Sequence, residues 1–84
     1  MNIHVINMDL NLIETDLQRL FKKFGEVSSI HILRDRMSNR SRGRALIEMP
    51  VDKEAQDAIS GLNGFKAGKK NLVVTGATYQ EESY

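Results

Sequence analysis

Eighty-four residues with 12 Lys and Arg against 11 Asp and Glu give a net charge of +1, with no cysteine and only 6% aromatic residues. A chain of that length makes one small domain that buries about 60% of its unfolded surface, with a stability of roughly 4–13 kcal/mol, which leaves little room for a deep catalytic cleft. The lack of cysteine excludes disulfides and a thiolate zinc site and suits a reducing, cytoplasmic setting; the first nine residues have no signal-peptide pattern, and no run approaches the roughly 20 apolar residues of a membrane span.

Ile3-His4-Val5-Ile6 is a short β-prone run and the expected first strand. Asn7 to Asn11 reads as a polar turn, and Asn11 followed by Glu14 has the form of a helix N-terminal capping box. The helix that follows sets Ile13, Leu17, Leu20, Phe21 and Phe24 in one apolar stripe. Gly25 is expected to end it as a left-handed residue, and Lys22 and Lys23 complement its dipole in the last turn. Val27 to Leu33 is the second strand, Arg34 to Gly43 a basic loop, and Arg44 to Met49 the third strand. Pro50 stops that strand because it cannot donate to the ladder. Asp52 is expected to cap a second helix through Leu62, with Ala55, Ala58, Ile59 and Leu62 on one face, until Gly61, Asn63 and Gly64 break it. Phe65 to Lys70 is a loop or small hairpin, and Leu72 to Thr75 the fourth strand. Residues 1–77 form the domain and 78–84 an acidic tail expected to fray.

The order strand, helix, strand, strand, helix, strand is the α+β, ferredoxin-like split βαβ pattern. Right-handed crossovers place both helices on one face of a four-stranded antiparallel sheet. The first and third strands become central, and the other face stays open. Alternation sends Ile3, Val5, Ile30, Ile32, Ala45, Ile47, Met49, Leu72 and Val74 inward. It leaves His4, Ile6, Ser29, His31, Leu33, Arg44, Leu46, Glu48, Asn71, Val73 and Thr75 outward. Five arginines (Arg34, Arg36, Arg40, Arg42, Arg44) face a single Asp35 along one border, while the tail holds Glu81 and Glu82 and no base.

Arg42-Gly43-Arg44-Ala45-Leu46-Ile47-Glu48-Met49 resembles the octamer motif of the RNA recognition motif family, and Ile3-His4-Val5-Ile6-Asn7-Met8 resembles its hexamer motif. The resemblance extends from about Met1 to Ala77, and the single-domain, proline-poor form looks like bacterial members. It implies single-stranded RNA lying across the sheet, with bases stacked on rings of the central strands. Here Arg44 and Leu46 stand in the octamer's aromatic places and His4 in the hexamer's. Each base–ring stack is worth about 1–3 kcal/mol, so losing two removes about 2–6 kcal/mol. Imidazole and guanidinium planes also stack on bases, so His4 and Arg44 keep part of the platform. The expectation is weak binding with little sequence selectivity.

On this reading Arg40, Arg42, Lys69 and Lys70 meet phosphates, while His4, Arg44 and Leu46 form the base platform. Ile6, His31 and Thr75 lie beside it. Single-stranded DNA is a further ligand, since no residue can be assigned to a 2′-hydroxyl. The competing reading is a protein-interaction or self-association module that uses Ile6, Leu33, Leu46 and Val73 on the same face, as a monomer or weak dimer. Blander readings stand beside these: a solvated arginine loop, a plainly exposed His4, and a disordered Tyr79 in place of one stacked over the sheet. Phe21, Phe24 and Phe65 read as core. His4 and His31 stand too far apart to share a metal ion. No nucleophile–base pair or phosphate-binding glycine motif is present, so neither enzyme activity nor a cofactor is expected.

Overall fold

The computed structural model describes residues 1–38 and 41–77, with the backbone alone for Ser41 and Arg42. The elements are β1 (Asn2–Ile6), α1 (Glu14–Lys22), β2 (Ser29–Arg34), β3 (Ser41–Glu48), α2 (Asp52–Leu62), a small hairpin of β4 (Lys66–Ala67) and β5 (Lys70–Asn71), and β6 (Val73–Ala77). The main sheet has the order β2-β3-β1-β6, antiparallel at every pairing, so β1 and β3 are central. This is the ferredoxin-like α+β architecture expected from the element order.

The period-2 pattern is obeyed on both central strands. Ile3, Val5, Ala45, Ile47 and Met49 are buried beneath the helices, while Arg44, Leu46 and Glu48 are exposed on the other side. Leu17 and Phe21 of α1 and Ala55, Ala58 and Leu62 of α2 close the core from above. Burying a side chain such as Leu17 or Phe21 is worth about 1.5–3 kcal/mol, so this helix-on-sheet layer dominates a small total. The tail expected at 78–84, with Tyr79, lies outside the described residues.

Several local expectations need correction. Asn11 does not cap α1: its N–H donates to Asp9 Oδ1 at 2.9 Å and belongs to the preceding turn. The cap position falls on Ile13, whose N–H donates to Asp16 Oδ2 at 3.0 Å, and Ile13 leaves the apolar stripe to become half exposed. Leu12 instead precedes the cap and packs on the core, the place of a hydrophobic staple against Leu17. Asp52 begins α2 rather than capping it, after Val51. Strand β2 starts at Ser29, two residues later than expected.

Gly25 is not in the left-handed helical region either; its φ is +156°. Glycine is needed there because a Cβ would collide with the Glu54 side chain, which accepts the Glu26 N–H at 2.9 Å. Phe65 is not core: it is 43% exposed. Gly64 N–H donates to Leu72 O at 2.7 Å and Leu72 N–H to Phe65 O at 2.9 Å, and this pairing gives the inward place to Leu72.

Candidate nucleic-acid interface

The open face is organised by register. Leu46 on β3 lies opposite His4 on β1 and His31 on β2, and His4 lies opposite Thr75 on β6. One row, His31–Leu46–His4–Thr75, therefore crosses all four strands. At about 4.8 Å per strand the two imidazoles stand roughly 10 Å apart. His31, Leu46 and Thr75 are exposed and His4 is partly so. Next to this row Ile6 pairs with Val73. Leu46 at 40% and Val73 at 38% exposure supply apolar surface among the polar groups. Among the described residues no element lies over this face, and none gathers three or more His, Asp or Glu side chains as a metal site.

Arg44 projects from the same face as Leu46 and is exposed, with no ion-pair partner among the described residues. Its position depends on Gly43, whose φ of +76° is in the region that favours glycine. Gly43 O accepts the Met8 N–H at 3.1 Å, and a Cβ at Gly43 would sit 3.3 Å from Met8 O. The register between β2 and β3 shifts between Ile32 and Arg34, so the basic entry to β3 is a bulged edge rather than a regular ladder. Arg40 and the Arg42 side chain lie outside the described residues.

Two electrostatic features were not legible from residue spacing. Arg34 is engaged by Glu14: its guanidinium donates to the carboxylate at 2.8 and 3.2 Å in a bidentate pair. That hydrogen bond holds the Glu14 carboxyl below its ordinary value and raises the Arg34 guanidinium above its own. Arg34 therefore clamps β2 to the start of α1 and contributes little to the free cationic border. Glu48, at the opposite end of β3 from Arg44 on the same face, gives the surface a charge polarity.

Lys69 and Lys70 stand on the β4–β5 hairpin, which leads through Leu72 into the Ile6/Val73 end of the sheet. Both are exposed. Asp9 fixes this hairpin by accepting the Lys69 N–H at 2.9 Å as well as that of Asn11, and Asn7 Nδ2 donates to Asn71 O at 2.8 Å. The two backbone hydrogen bonds, Asn11 first and then Lys69, hold the buried Asp9 carboxyl below its ordinary value. The two lysines thus border the end of the platform, whereas Arg44 borders it from within β3.

Comparison with known proteins fits this geometry. The model of the RNA recognition motif family matches residues 3–73. A Sex-lethal homolog of Musca domestica is 37% identical over 62 residues, 74% of this chain and 19% of that protein. One of the subunits of eukaryotic translation initiation factor 3 from Homo sapiens is 40% identical over 63 residues, 75% of this chain and 20% of that protein. The chain thus spans about a fifth of the curated relatives it matches. Among solved structures, RNA binding protein PG1 superposes with a TM-score of 0.90 at 34% identity, covering 94% of this chain and 95% of that one. A Sex-lethal protein/RNA complex superposes at 0.85 and 35% identity, covering 90% and 47%. With the family's fold, the frame of its two motifs on the central strands and a match across residues 3–73, the chain belongs to the RNA recognition motif family.

Proposed function

We propose that this chain binds single-stranded RNA across the open face of its sheet, without catalysis, weakly and with little sequence selectivity. The observation that carries the reading is the exposed row His31–Leu46–His4–Thr75, with Arg44 free beside it. A sheet face of this fold with bases laid over its central strands is the family's mode of recognition, and a Sex-lethal structure at 35% identity is a complex with RNA. The low affinity follows from the side chains. Arg44 and Leu46 replace two rings worth about 1–3 kcal/mol each. Imidazole and guanidinium stacking recovers a part, and neither reads a base edge from the stacked position. Arg40, Arg42, Lys69 and Lys70 supply phosphate contacts from the two borders. A cytoplasmic site of action goes with this reading.

The test is a salt titration. Four phosphate contacts to a single strand give a slope of log K against log salt near −3, at about −0.7 per contact. Arg42→Ala combined with Arg44→Ala lowers affinity for a short RNA oligomer and flattens the slope by about 1.4. Unchanged affinity and slope would remove this site. Parallel titration with DNA of the same sequence separates RNA from single-stranded DNA. Leu46 and Val73, exposed on the same face, favour a second reading as a protein-interaction or dimer surface. In that case Leu46→Asp abolishes a protein contact while RNA produces no signal.

A further inference from the structure

The helical side of the domain carries a recess separate from the sheet face. Between α1 and the β4–β5 hairpin lies an open groove of about 730 Å³. Leu12, Leu20 and Ala67 line it with aliphatic surface, and the Phe65 ring stands in its wall, 43% exposed. Its rim is cationic: Arg19, Lys22 and Lys23 come from α1 and the turn that ends it, and Lys66 comes from the hairpin. None of these four has an ion-pair partner among the described residues. Asp16 also lines the groove, with one carboxylate oxygen engaged by the Ile13 N–H at 3.0 Å.

Cations in a last helical turn complement the dipole, and that alone accounts for Lys22. It does not account for Lys66, which reaches the same recess from another element, or for an aromatic ring exposed beside aliphatic groups. We infer that this groove docks an acidic peptide segment of a partner protein. One large apolar side chain of that segment seats against Phe65, Leu12 and Leu20, and its carboxylates meet Arg19, Lys22 and Lys66. A polynucleotide fits the recess less well. The aliphatic side chains offer a base edge no donor or acceptor, and the Asp16 carboxylate repels phosphate. The inference stands independently of RNA binding, because it uses none of the sheet-face residues.

The experiment is an NMR titration of the isotope-labelled full chain with an acetylated Glu-Glu-Phe-Glu-Leu-Glu-Glu peptide, with a lysine-for-glutamate version as control. Amide shifts are expected at Leu12, Leu20, Phe65 and Lys66, with His4 and Leu46 unmoved, and binding weakens as salt is added. Lys22→Glu combined with Lys66→Glu weakens binding by about tenfold or more, and Phe65→Ala weakens it without changing its salt dependence. Unmoved sheet amides in each variant report an intact fold. Silence with the acidic peptide, equal binding of the lysine peptide, or shifts confined to the sheet would overturn the inference. So would groove shifts produced by an RNA oligomer, which would make the recess part of a nucleic-acid path. Groove signals that move in the free chain on Glu81→Gln with Glu82→Gln would make the chain's own end the occupant, which also overturns an external partner.

Discussion

Leu46→Phe is the perturbation that most directly probes how the platform lost affinity. Leu46 sits on central strand β3, 40% exposed, opposite His4 on one side and His31 on the other. Directly opposed Cβ atoms lie about 4.5–5.5 Å apart, so a phenyl ring at this position falls between two imidazoles at the middle of the open face. It points away from the core formed by Ala45 and Ile47, so it overpacks nothing, and the change in stability stays within about 0.5 kcal/mol. A base–ring stack contributes about 1–3 kcal/mol. Leucine already offers apolar contact, so the net gain is about 1–2 kcal/mol, or about 5- to 30-fold in Kd. No charge changes, so the salt dependence keeps its slope and the two lines run parallel. Fluorescence anisotropy with a labelled RNA oligomer, at several salt concentrations, reads both quantities. An unchanged or weaker Kd, with the fold intact by circular dichroism, would show that no base lies over the centre of the sheet.

Three further substitutions examine the surroundings. Glu48→Gln removes the acid from the face that carries Arg44, and RNA affinity rises by about threefold at low salt, an advantage that fades as salt screens it; an unchanged Kd would place the strand elsewhere. Glu14→Gln loses the bidentate pair with Arg34 and lowers the melting temperature by a few degrees at neutral pH. Because the folded Glu14 carboxyl is depressed, its stabilisation is present above the ordinary carboxylate value and disappears as pH falls through the lowered folded value, so wild type and variant melt together in strong acid. Asp9→Asn keeps one acceptor for two N–H donors and turns an NH2 group toward the other. Amide exchange at Lys69 or Asn11 accelerates, and the melting temperature falls more at neutral than at strongly acid pH, since the Asp9 carboxyl is likewise depressed.

Much of the architecture was legible because the signals were periodic. The alternation in Ile3–Ile6 and Arg44–Met49 assigns both faces of the central strands, and the i, i+3, i+4 spacing of Leu17, Leu20, Phe21 and Phe24 marks the buried face of α1. Strand order followed from topology, and with it the lateral row joining His4 to Leu46 and His31. What remained hidden depends on contacts between residues distant in sequence. Asp9 ties together Asn11 and Lys69, 58 residues apart in the chain, and its presence moved the helix start from Asn11 to Glu14. Met8, in a stretch that reads as a polar turn, is fully buried. Phe65 lost its expected core place to Leu72 because backbone pairing, not hydrophobicity, set which side each faces. The arginine run overstated the free positive charge, since Glu14 is 20 residues from Arg34 and no local pattern announces their pairing. The polar hairpin carrying Lys69 and Lys70 was readable as a turn, but its tether to the β1–α1 loop was not.

The most direct measurement is the amide spectrum of the full chain during titration with a random single-stranded RNA pool. The account predicts graded shifts, fast on the NMR timescale, at His4, His31, Arg44, Leu46 and Thr75, with Leu17 and Ala58 beneath the sheet unmoved. Shifts restricted to the helical face, or a spectrum that stays still as RNA is raised to high concentration, would contradict it.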